Sequence, residues 1–148
     1  FLIFSGLGSV LARRIRPQPL RAIRLAAAGV ALIAVVYALG LDGAFRTVVV
    51  LPLWCRMASA IVLTAPAAFL MGWPFPNGLA ILGRSRPLLV PWAWAANGFA
   101  GVAASPLAVL LALHVGFRAV LICVAALYLA AALVSHRLPG VDQNRSVG

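Results

Sequence analysis

Residues 1–12 are apolar apart from Ser5, Gly6, Gly8 and Ser9, and the run stops at Arg13, Arg14 and Arg16, followed by Pro17 and Pro19. A helix needs about twenty apolar residues to cross a hydrocarbon layer about 30 Å thick. This block is too short for that, and it predicts the closing half of a longer span whose first half would precede Phe1. The arginines and prolines behind it predict a helix stop and a short loop. Residues 22–41 form the first complete apolar block, with Arg21 and Arg24 at its start and Tyr37 towards its far interface. Gly40, Asp42 and Gly43 predict a turn at its end.

The stretch 44–56 holds Arg46, Trp54 and Arg56 around an apolar run broken by Pro52. Tryptophan and arginine at head-group level suit an interfacial helix; the other reading makes these residues the tilted first turns of the next span. Residues 57–73 then predict the second span, with Pro66 inside it as a source of bending. Trp73-Pro74-Phe75-Pro76-Asn77-Gly78 predicts a break, and Arg84, Arg86 and Pro87 a loop end. Pro91 suits the first turn of a third span over 91–113, anchored by Trp92 and Trp94. His114, Gly116 and Arg118 make a short connection to a fourth span over 117–135. No stretch alternates with the two-residue period of a strand. The expected fold is an all-α integral membrane bundle over residues 1–140, with about four complete spans plus a truncated one at the N-terminus. His136, Arg137, Pro139 and Gly140 close the last span, and a polar, disordered tail is expected over 141–148.

Composition agrees with lipid as the solvent. The 148 residues are 64% hydrophobic and 9% charged, with a mean hydropathy of +1.08. A soluble domain carries about 25% charged residues, and so few charges cannot build a polar surface. The net charge is +10, and every basic residue is arginine. Such an excess can mark nucleic-acid binding, but here the arginines sit at the ends of apolar blocks rather than along one solvated face. That placement predicts orientation in a membrane and contact with anionic lipid, not nucleic acid. If each span crosses, one side collects Arg13, Arg14, Arg16, Arg21, Arg24, Arg84, Arg86, Arg137 and Arg145, and the other Arg46, Arg56 and Arg118. The richer side, with the C-terminus, is expected in the cytoplasm.

Candidate chemistry is sparse. The acidic residues are Asp42, in the expected turn, and Asp142, in the tail, and His114 and His136 fall at span ends on opposite sides of the membrane. No catalytic, cofactor-binding or metal-binding residue is expected, because no pair of these groups could share a substrate. Cys55 and Cys123 are far apart and predict buried, inert thiols. In the third span Ala93, Asn97, Gly101 and Ser105 recur every four residues and so share one helix face. Such a stripe can be a packing seam, in which small side chains admit a neighbouring helix and Asn97 bonds to it. Alternatively Asn97 lines a path for a substrate, as intramembrane polar groups often do.

Two elements carry a family resemblance. Leu70-Met71-Gly72-Trp73-Pro74-Phe75-Pro76-Asn77-Gly78-Leu79 is followed by Pro91-Trp92-Ala93-Trp94-Ala95-Ala96-Asn97-Gly98. Together they resemble the C-terminal membrane region of bacterial spermidine-synthase-like integral membrane proteins, described also as fused transporter-like and spermidine-synthase-like proteins. Ser5-Gly6-Leu7-Gly8-Ser9 and the end of the last span near Ser135 fit the same region. Trp73 and Asn77 stand where the family more commonly has other residues, within an intact proline and glycine frame. The resemblance implies an aminopropyltransferase-like domain elsewhere in the protein and a bacterial inner-membrane location. It carries over no catalytic residue. It does imply a role in the bundle for Gly72, Pro74, Pro76, Gly78, Trp92, Trp94, Asn97 and Gly98.

The expected function is therefore a membrane anchor that also shapes a path for a small molecule of unknown identity, with a cation among the candidates. Its expected partners are the bilayer and the preceding part of the same protein. Two rivals stand beside it. One is part of a major-facilitator-like transporter, whose basic loops Arg84 and Arg86 resemble, though without the acidic residue usual there. The other is a purely structural anchor.

Overall fold

The computed structural model describes residues 1–14 and 19–137; the loop expected around Arg16 and Pro17 and the tail expected over 141–148 lie outside the described residues. The chain forms α1 (Leu2–Arg14), α2 (Pro19–Val48), α3 (Leu53–Met71), α4 (Pro74–Ser85), a 3-10 turn (Pro87–Leu89), α5 (Val90–Val115) and α6 (Phe117–Arg137). No strand occurs among the described residues. Four stretches are long and apolar enough to cross a membrane: Pro19–Gly40, Leu53–Ser85, Pro87–Val115 and Phe117–Ser135. Leu2–Ala12 is a shorter apolar helix. The protein is an all-α, multi-pass membrane bundle. Its outer surface carries large apolar side chains, among them Leu39, Phe99, Val102 and Leu113, each at least 74% exposed. Lipid is the solvent that accepts such a surface.

Helix α2 is the hub. Ala26, Ala27, Val30, Ala31, Ala34 and Ala38 are buried on it, and their spacing of three and four places them along one face. Its interface with α6 is the most extensive between the described helices. Arg118, at the start of α6, donates from Nε to the Ala38 carbonyl at 2.9 Å, so the two helices run antiparallel. Lipid tails are as apolar as leucine, so helices in a bilayer gain little by hiding apolar area. They gain by close packing, which alanine permits. On another side of α2, Gly29 sits against Leu70, whose Cδ1 would lie 2.7 Å from an added Cβ. The Tyr37 hydroxyl donates to the Leu63 carbonyl. These two contacts run α3 antiparallel to α2 as well.

Helix α1 belongs to the bundle through a glycine contact with α3. A Cβ on Gly8 would overlap the Phe69 carbonyl, and one on Gly72 would overlap the Ser5 carbonyl and come within 3.0 Å of the Ser9 nitrogen. Backbone meets backbone here, and a methyl group on either glycine would force the helices apart.

Several expectations need correction. There is no separate interfacial helix over 44–56: α2 continues to Val48, and Trp54 and Arg56 belong to the first turns of α3. Nor do Gly40, Asp42 and Gly43 make a turn. Glycine within a helix costs only about 1 kcal/mol, whereas the residue before a proline is turned away from helical geometry. The chain accordingly leaves the helix over residues 49–52, ahead of and at Pro52. The break expected over Trp73–Gly78 shrinks to Gly72 and Trp73, because α4 starts at Pro74. The first N–H groups of a helix have no intrahelical acceptor, so prolines at its start sacrifice nothing. Both helices with internal prolines, Pro66 in α3 and Pro106 in α5, remain helical through them. Cys55 and Cys123 are free but exposed, not buried. Cys123 lies within α6, where an exposed side chain faces apolar lipid, which suits a thiol; Cys55 lies in the first turn of α3, at the end of its span.

Candidate ligand groove

The short interruption between α3 and α4 positions a groove in the bundle. Gly72 closes α3, its N–H shared between the carbonyls of Ala68 and Phe69 at 3.2 Å each, and Trp73 N–H reaches the Leu70 carbonyl at 3.1 Å. Pro74 then opens α4. Pro76 offers no N–H, and Asn77 adds one from its side chain: Nδ2 donates to the Trp73 carbonyl at 2.8 Å. Asn77 is only 2% exposed, and this bond to its own helix satisfies a buried amide that would otherwise be costly. The Trp73 ring meets Phe69 edge-on at 6.0 Å. Its indole N–H is buried without an acceptor among the described residues.

Beyond this break a groove of about 420 Å³ opens between α4, α5 and α6. Met71, Pro74, Phe75, Gly78, Leu79 and Leu82 form one wall, Ala93 and Asn97 the second, and Tyr128 of α6 the third. Phe75 packs edge-to-face on Trp94 with ring centroids 4.9 Å apart, tying α4 to the start of α5. Such a pair contributes about 0.5–1.5 kcal/mol beyond burial. Gly83 lies near Val90, 3.9 Å from an added Cβ, so the two helices stay close around the 3-10 turn. The groove is mostly apolar. Its polar groups are the Asn97 amide and the Tyr128 hydroxyl, and neither side chain hydrogen-bonds another described residue. No lining residue is charged.

The residues singled out from sequence divide into three groups. Asn97, Pro74 and Gly78 line the groove. Gly72 instead faces α1, and Pro76 lies in the first turn of α4 without lining the groove. Gly101 and Ser105 are exposed on α5, and a Cβ on Gly101 would meet nothing within 4 Å. The stripe Ala93, Asn97, Gly101, Ser105 is thus not a packing seam among the described residues; its first two members border the groove and the rest lie open. Sequence reasoning missed Tyr128, Phe75 and Leu79 as lining residues. A tyrosine in the middle of the last span was the available signal for Tyr128. It likewise passed over Gly8 as a contact residue and the alanine face of α2. His114 bonds the Leu110 carbonyl one turn back through Nδ1 at 2.9 Å, at the end of α5 away from the groove. No group of three or more metal-binding side chains occurs among the described residues. No known protein family, curated protein or solved structure matches the chain.

Proposed function

We propose that this chain is the membrane-embedded portion of a spermidine-synthase-like protein of the bacterial inner membrane. In this reading it anchors the protein and offers a path for a small molecule along the groove. One observation carries the proposal: the two sequence elements of the resemblance converge on the same concavity. Met71, Pro74, Phe75, Gly78 and Leu79 come from the first element, and Ala93 and Asn97 from the second. Phe75 and Trp94 join the elements directly. Two stretches separated in sequence and shared with one family gain a common purpose if they build one site. Mostly apolar concavities with a few convergent polar groups are the usual form of small-molecule sites.

The antiparallel packing supports a cytoplasmic C-terminus. It brings Arg21 and Arg24 of α2 to the same end as Arg84 and Arg86, while Arg46, Arg56 and Arg118 gather at the other. The richer end belongs inside by the positive-inside rule. Cys55, exposed beside Arg56, should then react with a membrane-impermeant maleimide from the outside of intact cells; labelling only after lysis would reverse the orientation.

The coding sequence ahead of Phe1 tests the family assignment. A strand, a glycine-rich turn and nearby acidic residues are expected there. Hydrophobic spans alone would remove the synthase-like reading and favour the major-facilitator-like transporter. That alternative draws on α5, none of whose residues is buried, as in a half-bundle that packs against further helices.

A further inference from the structure

The polar groups of the groove narrow what it can hold. In a bilayer core there is no water to satisfy an amide or a hydroxyl, and each unpaired group is costly there. Asn97 on α5 and Tyr128 on α6 come from different helices, border the same 420 Å³ space and hydrogen-bond no other described residue. Asn97 offers two donors and an acceptor, and tyrosine one donor and an acceptor. Around them lie Phe75, Leu79 and Leu82. A fully charged ligand would be poorly served, because the lining supplies no counter-charge and desolvating an ion is expensive. A purely apolar ligand would leave both polar groups unanswered.

We infer that the groove binds an uncharged amphiphile, whose hydroxyl- or carbonyl-bearing head hydrogen-bonds Asn97 and Tyr128 and whose apolar portion lies along Phe75, Leu79 and Leu82. The inference rests on the reading of the groove as a path and specifies the class of molecule that enters it. It separates the ligand of the membrane section from a protonated polyamine, which would need carboxylates. The open side of α5, where Trp92 and Phe99 are 74% and 77% exposed, lets such a molecule enter laterally from lipid.

The experiment uses the full chain in phosphatidylcholine nanodiscs and a monoacylglycerol carrying a diazirine in its acyl chain. Irradiation should concentrate adducts on residues 71–82 and 93–97. Excess unlabelled monooleoylglycerol should remove them, and spermidine or a lysophosphatidic acid should not. Asn97→Leu and the nearly isosteric Tyr128→Phe should each weaken capture about threefold to tenfold, the size of one lost hydrogen bond. Gly78→Leu should abolish it by filling the groove, since a Cβ there meets nothing within 4 Å. Each variant must elute as the parent does, and Tyr128→Phe keeps the test valid if the others misfold. Displacement by spermidine or by the anionic lipid would overturn the uncharged ligand but leave a path in place. Labelling spread evenly over all lipid-facing helices, with no competition by any of the three, would remove the path as well. Adducts replaced by chain-to-chain crosslinks at the groove would assign it to a second copy and overturn the proposal.

Discussion

Two helices of this bundle carry stripes of small residues, and only one stripe is packed. On α2, Ala26, Ala27, Ala31, Ala34 and Ala38 are 1–7% exposed. On α5, Asn97, Gly101 and Ser105 are exposed, and additions at Gly98 or Gly101 would touch nothing. Small side chains permit close approach but do not command it. What distinguishes α2 is a set of specific ties that lock its neighbours in register: Arg118 to the Ala38 carbonyl, Tyr37 to the Leu63 carbonyl and Leu70 over Gly29. On α5 the ties are confined to its ends, where Trp94 meets Phe75 and Gly116, at φ 100°, turns the chain into α6. Between them lies an open helix and the groove. Close packing and the groove are thereby assigned to different helices.

The comparison can be broken most severely at the alanine face. Ala27→Leu with Ala31→Leu should separate α2 from α6, each change costing about 1–3 kcal/mol by overpacking. The double variant should lose most of its folded population in a detergent-unfolding titration. Gly101→Leu on α5 should change the same titration by less than about 0.5 kcal/mol; equal losses at both helices would abolish the distinction. Next in size is the α1–α3 crossing. Gly8→Ala and Gly72→Ala should each cost about 1–3 kcal/mol. Their sum should exceed the cost of the double variant, because both disrupt one contact; strict additivity would show that the two glycines act separately. Phe75→Leu should cost about 0.5–1.5 kcal/mol through loss of the ring pair with Trp94. It should also leave the α2–α6 contact untouched, so that its cost adds to that of Ala27→Leu in the variant carrying both. Smallest is Tyr37→Phe, which deletes one hydrogen bond to the Leu63 carbonyl. About 0.6 kcal/mol is expected, the average found for such bonds between membrane helices, read as a small shift in thermal unfolding.

Much of the architecture was legible from the residues, and its limits have a physical pattern. Pro91 did start a helix, and Gly116 did mark the short connection before Phe117. Proline and glycine act through backbone geometry that the local sequence controls. The same reasoning overextended at Trp73–Gly78, because the effect of a proline depends on whether it falls in the first turn of a helix or later. For the groove, Asn97, Pro74 and Gly78 could be picked out in advance by polarity or by the resemblance. Phe75 and Leu79 fell inside the first element of the resemblance but, like Leu82 outside it, had nothing in their chemistry to distinguish them from lipid-facing neighbours.

The sequence by itself determined the solvent, the helical class and the approximate spans. Long apolar runs between arginines leave the backbone nowhere to hydrogen-bond except within helices. The tertiary structure alone decided which faces meet. In water, an apolar stripe must turn inward, so periodicity reveals the core. In lipid, inside and outside are equally apolar, and α5 shows no preferred apolar face and no buried residue. The choice of the α2 alanine face as the seam, the fit of Gly8 and Gly72 against backbone, and the meeting of Asn97 with Tyr128 across one groove depend on shape and register between distant segments. Hydropathy carries no signal for those.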